Sequence, residues 1–265
     1  MLFKPREIMR MSSQTVLVTG ASSGIGAAIC RLIAAPEVNI LMHARGGDDG
    51  KNTEMIEKVA GDVRDKGANV EIMLCDLSHE GSASNLVRAT CDRFGGLDKI
   101  VSNAGFADKT LLGDVSRDSL NRSLSAMTGA FFELATEAMH ALQRSDCGRV
   151  VAISSFVAHK YSPSNLFPVT AAAKASVEAL ARTLAAQLGP FGVTVNCIAP
   201  GFTQKDTGTH RAISKAALQR AADSALTRRI AEPIDVAELV RFLLSPAARQ
   251  ITGQTIHVDG GLTIA

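Results

Sequence analysis

A short apolar stretch, Thr15-Val16-Leu17-Val18, runs directly into Thr19-Gly20-Ala21-Ser22-Ser23-Gly24-Ile25-Gly26, and a helical pattern follows at Ala27-Ala28-Ile29-Cys30-Arg31-Leu32-Ile33. Strand, glycine turn and helix in that order expose backbone N–H groups at a helix N-terminus, where the dipole favours an anion such as a pyrophosphate. Gly20 permits the tight turn, Gly24 keeps a Cβ out of the way of the phosphates, and Gly26 lets helix and strand approach closely. A glycine triplet alone is a weak signal and is more often an ordinary loop. At the first strand–helix joint of a chain it points to a dinucleotide site.

Beyond this joint, apolar runs alternate with amphipathic segments to the end of the chain. The strands expected are Thr15–Thr19, Asn39–His43, Asn69–Cys75, Lys99–Ser102, Arg149–Ser154, Thr194–Ile198 and Thr255–Val258. The helices expected are Gly24–Ala34, Thr53–Lys66, Ser82–Phe94, Leu120–Leu142, Thr170–Leu188 and Asp235–Leu244. Such alternation predicts an α/β chain with right-handed crossovers and helices on both faces of a parallel sheet. Most strands are continuous apolar runs, as a sheet covered on both faces requires. The longest irregular polar stretch, Thr203–His210, precedes a helix expected at Ile213–Ser224 and reads as a mobile flap over the site. Ligands of such sheets bind beyond the carboxyl ends of the strands.

No linker or repeat divides the chain, so residues 14–265 read as one domain behind an N-terminal extension at 1–13, with Met11 a candidate start. The 265 residues are 46% hydrophobic, enough for one substantial core, and carry a net charge of only +2 with Lys and Arg scattered. That balance argues against a nucleic-acid partner. No stretch approaches the roughly 20 apolar residues of a membrane span, and the N-terminus lacks the apolar core of a secretory signal. The five cysteines form no CxxC pair. They read as free thiols of a cytoplasmic protein, and no metal is expected.

With these residues in place, the chain resembles the short-chain dehydrogenase/reductase family from about Thr15 to Gly261. The glycine run is similar to that family's TGxxxGIG pattern. Ser102-Asn103-Ala104-Gly105 resembles NNAG, and Cys75-Asp76-Leu77 resembles the turn that holds the adenine ring. Ile198-Ala199-Pro200-Gly201-Phe202-Thr203 resembles the PG motif beside the nicotinamide. The tail from Ile251 to Gly261 resembles the C-terminal strand signature. The resemblance implies a doubly wound Rossmann fold of about seven parallel strands. It also implies an NAD(P)-dependent oxidoreductase acting on CH-OH or C=O groups of a small-molecule substrate, assembled as a homodimer or homotetramer. The cofactor-binding residues it implies are Gly20, Ser22, Ser23, Gly24, Ile25, Gly26, Arg45, Asp76, Leu77, Asn103, Ala104, Gly105, Lys174, Pro200, Gly201 and Thr203. In the family the helices corresponding to Leu120–Leu142 and Thr170–Leu188 pair across a two-fold axis. Both carry more apolar surface than one face needs, as in Leu180, Leu184 and Leu188 of the second.

The second strand sets the cofactor. It ends Met42-His43-Ala44-Arg45, with Ala44 where NAD-type members carry Asp. Without that carboxylate nothing repels a 2′-phosphate. The forked guanidinium of Arg45 can grip one, with His43 as a second donor. NADP(H) is expected, with NAD(H) the alternative.

The catalytic pattern is where the chain departs from the family, which uses a tyrosine acid/base, a lysine four residues later, a serine and an asparagine. Ser155 and Lys174 match, but Thr170 replaces the tyrosine and Ala126 the asparagine, and the Ser155–Thr170 segment carries a small insertion. A phenol ionises near pH 10 and a neighbouring ammonium pulls it lower, whereas an aliphatic hydroxyl donates a hydrogen bond but transfers its proton poorly. Losing a positioned general acid costs about 10²–10⁴ in rate. Tyr161, the sole tyrosine, His159 or a water are the candidate substitutes. Ser155, Thr170 and Lys174 are the catalytic residues expected. The alternative is a catalytically impaired cofactor-binding sensor or assembly partner.

Overall fold

The computed structural model describes residues 13–47, 50–163, 165–204 and 215–265. Among these, β1 (Gln14–Val18), β2 (Val38–Ala44), β3 (Asn69–Leu74), β4 (Lys99–Ser102), β5 (Arg149–Ile153), β6 (Thr194–Pro200) and β7 (Thr255–Val258) form one sheet in the order β3-β2-β1-β4-β5-β6-β7. Every pairing is parallel. The order turns back between β1 and β4, opening a crevice at their carboxyl ends as a doubly wound sheet does.

Period-two alternation divides the core between the faces. Val16, Val18, Ile40, Met42, Val151 and Ile153 pack on one side with α1 (Gly24–Ile33), α2 (Lys51–Arg64) and α8 (Pro233–Leu243). Leu17, Leu41, Ile100, Val150 and Ala152 pack on the other with α3 (Ser82–Phe94), α5 (Ala130–Arg144) and α6 (Pro168–Leu188). Burial on both sides explains why the strands read as unbroken apolar runs.

The expected strands and helices are present with small boundary shifts, except in one region. The segment expected as one helix from Leu120 to Leu142 is three pieces. It begins earlier, in α4 (Arg117–Ser123), capped by the Ser116 hydroxyl, which accepts the Ser119 N–H at 3.1 Å. A π-turn at Leu124–Gly129 follows, and then α5. The widened turn lies where Thr128 Oγ1 donates to the Ala173 carbonyl of α6 at 3.1 Å. Hydrophobic periodicity carries no signal for one extra residue in a turn, so the sequence reads straight through it.

The apolar surplus assigned to α6 is also corrected. Leu184 is 4% exposed and Leu188 fully buried, so both belong to the core and only Leu180 is partly outward. The expected flap falls largely outside the described residues, which resume at 215 with α7 (Lys215–Asp223). The extension at 1–13, including Met11, lies outside them except for Ser13.

Leu188→Ala therefore deletes core methyls and should cost about 2–5 kcal/mol of stability. Urea unfolding followed by circular dichroism checks this; a change within ±0.5 kcal/mol would place Leu188 on the surface.

Candidate active site

The turn joining β1 to α1 is shaped by close backbone approach. A Cβ on Gly26 would lie 2.0 Å from the Gly20 carbonyl oxygen, and one on Gly20, where φ is +68°, 2.9 Å from Ala104 Cα. Asn103, at the end of β4, donates its side-chain amide to the carbonyls of Thr19 and Gly20, both at 3.0 Å. The Thr19 hydroxyl accepts the N–H groups of Asn103 (2.9 Å) and Ala104 (3.1 Å). Two adjacent strand ends are thus stitched together beneath the crevice. Gly24 differs: a Cβ there would meet nothing within 4 Å, so it borders open space. The first turn of α1 holds no acidic residue and its N-cap, Ser23, makes no side-chain capping bond. That positive helix end borders the crevice and fits a bound phosphate.

A cleft of about 610 Å³ opens above the turn. The expected cofactor-binding residues and Ser155, Thr170 and Lys174 all line it except Gly26, which sits behind the turn as packing. The cleft also takes in residues that the motifs missed: Asn52, Ser78, Phe106, Arg122, Ile153, Ser154 and Gln204. They come from loops, helix faces and the end of β5 with no spacing signature, and only the fold brings them together.

At one end of the cleft, Arg45 is exposed and its carbonyl accepts from the Asn52 amide at 2.8 Å. His43 is not the second phosphate donor expected. It is 2% exposed; its Nδ1 accepts the Gly20 N–H at 3.3 Å and its Nε2 lies 3.0 Å from the Cys75 carbonyl. With Nδ1 accepting, Nε2 is the donor, and both ring nitrogens are engaged. Burial depresses its pKa below the usual histidine value, against the pull of the Cys75 carbonyl and Asp76. Asp76 accepts from the Ser78 N–H and hydroxyl, each at 2.8 Å; burial raises its pKa, but those bonds hold the net value below the carboxylate norm.

At the other end stand Thr170, Ser155 and Lys174, the catalytic residues expected from the sequence. Thr170, 4% exposed in the first turn of α6, accepts the Asp108 N–H at 2.9 Å, tying the loop after β4 over the site. Ser155 accepts the Val157 N–H at 3.4 Å. Each hydroxyl keeps its own hydrogen to donate. Lys174, one helical turn after Thr170, donates to the Ile153 carbonyl at 2.6 Å. Burial pulls its pKa down to about 8, partly opposed by the fields of Cys197 and Glu178. Gly105 leaves room for it, since a Cβ there would lie 3.1 Å from Nζ. Ala126 lines the cleft without a polar group.

Neither protein side chain expected to replace the tyrosine reaches this cleft. Tyr161 is 66% exposed and donates to the Ala158 carbonyl at 2.9 Å. His159 turns to Glu178, with Nε2 2.8 Å from its carboxylate. The 3₁₀ turn at Phe156–Ala158 carries both outward past the serine, a path that sequence spacing does not encode. Among the described residues no cluster has the geometry to hold a metal ion, and no helix is long and apolar enough to cross a membrane.

Residues 20–263 match the family described as enoyl-(acyl carrier protein) reductase. The 3-oxoacyl-(acyl-carrier-protein) reductase FabG of Rickettsia bellii is 32% identical over 257 residues, spanning 95% of this chain and 98% of that one. A short-chain dehydrogenase of Burkholderia cenocepacia, solved in complex with NADP, is 30% identical with a TM-score of 0.86 over 97% of this chain and 100% of that one. A short-chain dehydrogenase/reductase of Serratia marcescens gives 27% and 0.85, over 96% and 99%. The chain belongs to the short-chain dehydrogenase/reductase family of oxidoreductases.

Because His43 is neutral and its folded pKa lies below the unfolded value, the unfolded chain binds the extra proton first. Its contribution is complete above about pH 6.5 and is lost as pH falls toward the depressed value, at up to about 1.4 kcal/mol per pH unit. Between pH 6.5 and 5.5 the parent protein should lose more stability than His43→Gln in denaturant titrations. Parallel slopes would contradict this assignment.

Proposed function

We propose that the protein is an NADP(H)-dependent oxidoreductase, reducing a carbonyl or oxidising an alcohol of a small polar molecule, with Ser155, Thr170 and Lys174 at the reacting oxygen. One observation carries this reading. Two hydroxyls whose oxygens are each occupied by a backbone N–H border the same cleft as a buried lysine, above a glycine turn suited to a pyrophosphate.

The nicotinamide supplies or accepts the hydride when bound. The α1 N-terminus and the Ser22–Gly24 turn would hold the pyrophosphate, Asp76 and Leu77 would border the adenine, and Arg45 would take the 2′-phosphate. Ala104, Gly105, Pro200, Gly201 and Thr203 would flank the nicotinamide half. The relative solved with NADP supports the cofactor choice. As the substrate carbonyl gains electron density, Ser155 and Thr170 donate hydrogen bonds to its oxygen, stabilising the charge where it develops. Thr170 donates without giving up its proton. Lys174, an ammonium at neutral pH, returns the proton through water, and in alcohol oxidation the same path runs in reverse. By the family resemblance the enzyme works as a homodimer or homotetramer. The outward Phe132 of α5, 57% exposed, fits a covered face there.

The test follows NADPH absorbance across a panel of aldehydes, ketones and sugars. Reduction should proceed in the parent protein and fall by about 100- to 1,000-fold in Thr170→Val, in the range of a lost oxyanion donor or proton-transfer group. NADPH binding without turnover, and turnover only in Thr170→Tyr, would identify a catalytically impaired binding protein instead.

Two further outcomes follow. Because the proton store must be protonated for reduction, that rate should fall as pH rises through about 8, the value to which burial holds Lys174. Arg45→Ala should weaken NADPH at least about tenfold, as loss of a charge-assisted contact does, and leave NADH unchanged. Equal effects on both would remove Arg45 from the phosphate.

A further inference from the structure

Glu178 lies one helical turn beyond Lys174 on α6, 4% exposed, at the centre of a polar cluster that the reaction above does not use. Its Oε1 accepts the Ser154 hydroxyl at 2.5 Å and lies 2.8 Å from His159 Nε2. Ser154 and His159 bracket Ser155 and the 3₁₀ turn after it. The Ser154 N–H is held by the Ile198 carbonyl of β6, and the His159 ring packs edge-on against His257 of β7, centroids 4.6 Å apart. The segment carrying Ser155 is thus bonded to the helix carrying Thr170 and Lys174 through one carboxylate.

We propose that Glu178 is a positioning residue with two effects: it locks the Ser155 segment onto α6 through Ser154 and His159, and it supplies the negative charge that keeps Lys174 protonated. Helix geometry places residues four apart on one face, so the carboxylate lies alongside the lysine stem rather than across the cleft. The other ionisable groups facing this pair are Cys197 of β6, His159 and, at the outer edge, Arg182, 3.8 Å from Oε2. Cys197, pushed up to about 12 by burial, is a neutral thiol at physiological pH. Glu178 is therefore the carboxylate whose field opposes the desolvation of Lys174, and its removal should lower the lysine pKa further.

The proposal rests on the reading of Ser155 and Lys174 as the reacting groups, so its test includes measurements that need no turnover. Hydrogen exchange in the peptide holding residues 154–160 reports the lock. The pH midpoint for modification of Lys174 by an amine reagent, read by mass spectrometry, reports the charge. Glu178→Ala should raise exchange there at least about tenfold, lower the modification midpoint by about one pH unit, and reduce kcat about 10- to 100-fold with NADPH affinity within about twofold. Glu178→Gln, which still accepts the Ser154 hydroxyl, should restore the exchange and most of kcat but leave the midpoint and the alkaline limb of the rate profile shifted. His159→Ala should raise exchange alone. Exchange and midpoint unchanged in Glu178→Ala would overturn the proposal, as would recovery of the midpoint in Glu178→Gln. Absence of turnover in the parent would overturn the proposed function, while these two readouts would still decide the role of Glu178.

Discussion

The structure depends on how closely the backbone of α1 can approach the end of β1. With a Cβ at Gly26 the Gly20 carbonyl would have to move, since the two atoms would lie 2.0 Å apart. That carbonyl is one of the two that Asn103 binds, so the displacement would reach β4 as well. The crevice, the positive helix end facing it and the spacing of the central strands therefore share one steric condition. Side-chain chemistry enters after this backbone junction is closed.

The same junction explains why His43 and Asn103 are framework groups although both border the cleft. Each satisfies backbone groups of the turn or of the neighbouring strand ends, where an unpaired buried amide or carbonyl costs about 1–3 kcal/mol. Their polarity is directed into the scaffold. In the proposed reaction the groups that meet the substrate oxygen are those whose acceptor side is already filled, Ser155 and Thr170, beside a lysine whose burial brings its proton equilibrium near neutrality. In the reaction proposed above, a threonine where the family uses a phenol divides the labour differently: hydrogen-bond donation stays with the hydroxyls, and proton storage falls to Lys174.

Much of this was legible in the residues. Apolar runs and turn glycines gave seven strands and the main helices, because burial on both sheet faces leaves a continuous pattern. Motif positions gave most of the lining of the cleft, because glycines and short loops at strand ends answer to local backbone geometry. The π-turn at Leu124–Gly129 left no trace, since it arises from how α5 settles against α6. The direction of His159 and Tyr161 was hidden for a similar reason. An insertion changes the path of a segment, and the partner that captures it, Glu178, is remote in sequence.

The sequence by itself determined the doubly wound sheet, the glycine turn and the spacing of Ser155, Thr170 and Lys174. These depend on periodicity and on residue type at a fixed spacing. Tertiary structure alone decided that His43 braces the turn, that Leu184 and Leu188 face the core, that Thr170 holds the loop after β4, and that Glu178 collects Ser154 and His159. Each of these is a contact between groups far apart in the chain. Hydrogen-bond direction and burial are set by what the fold places opposite a side chain, and no local pattern records that.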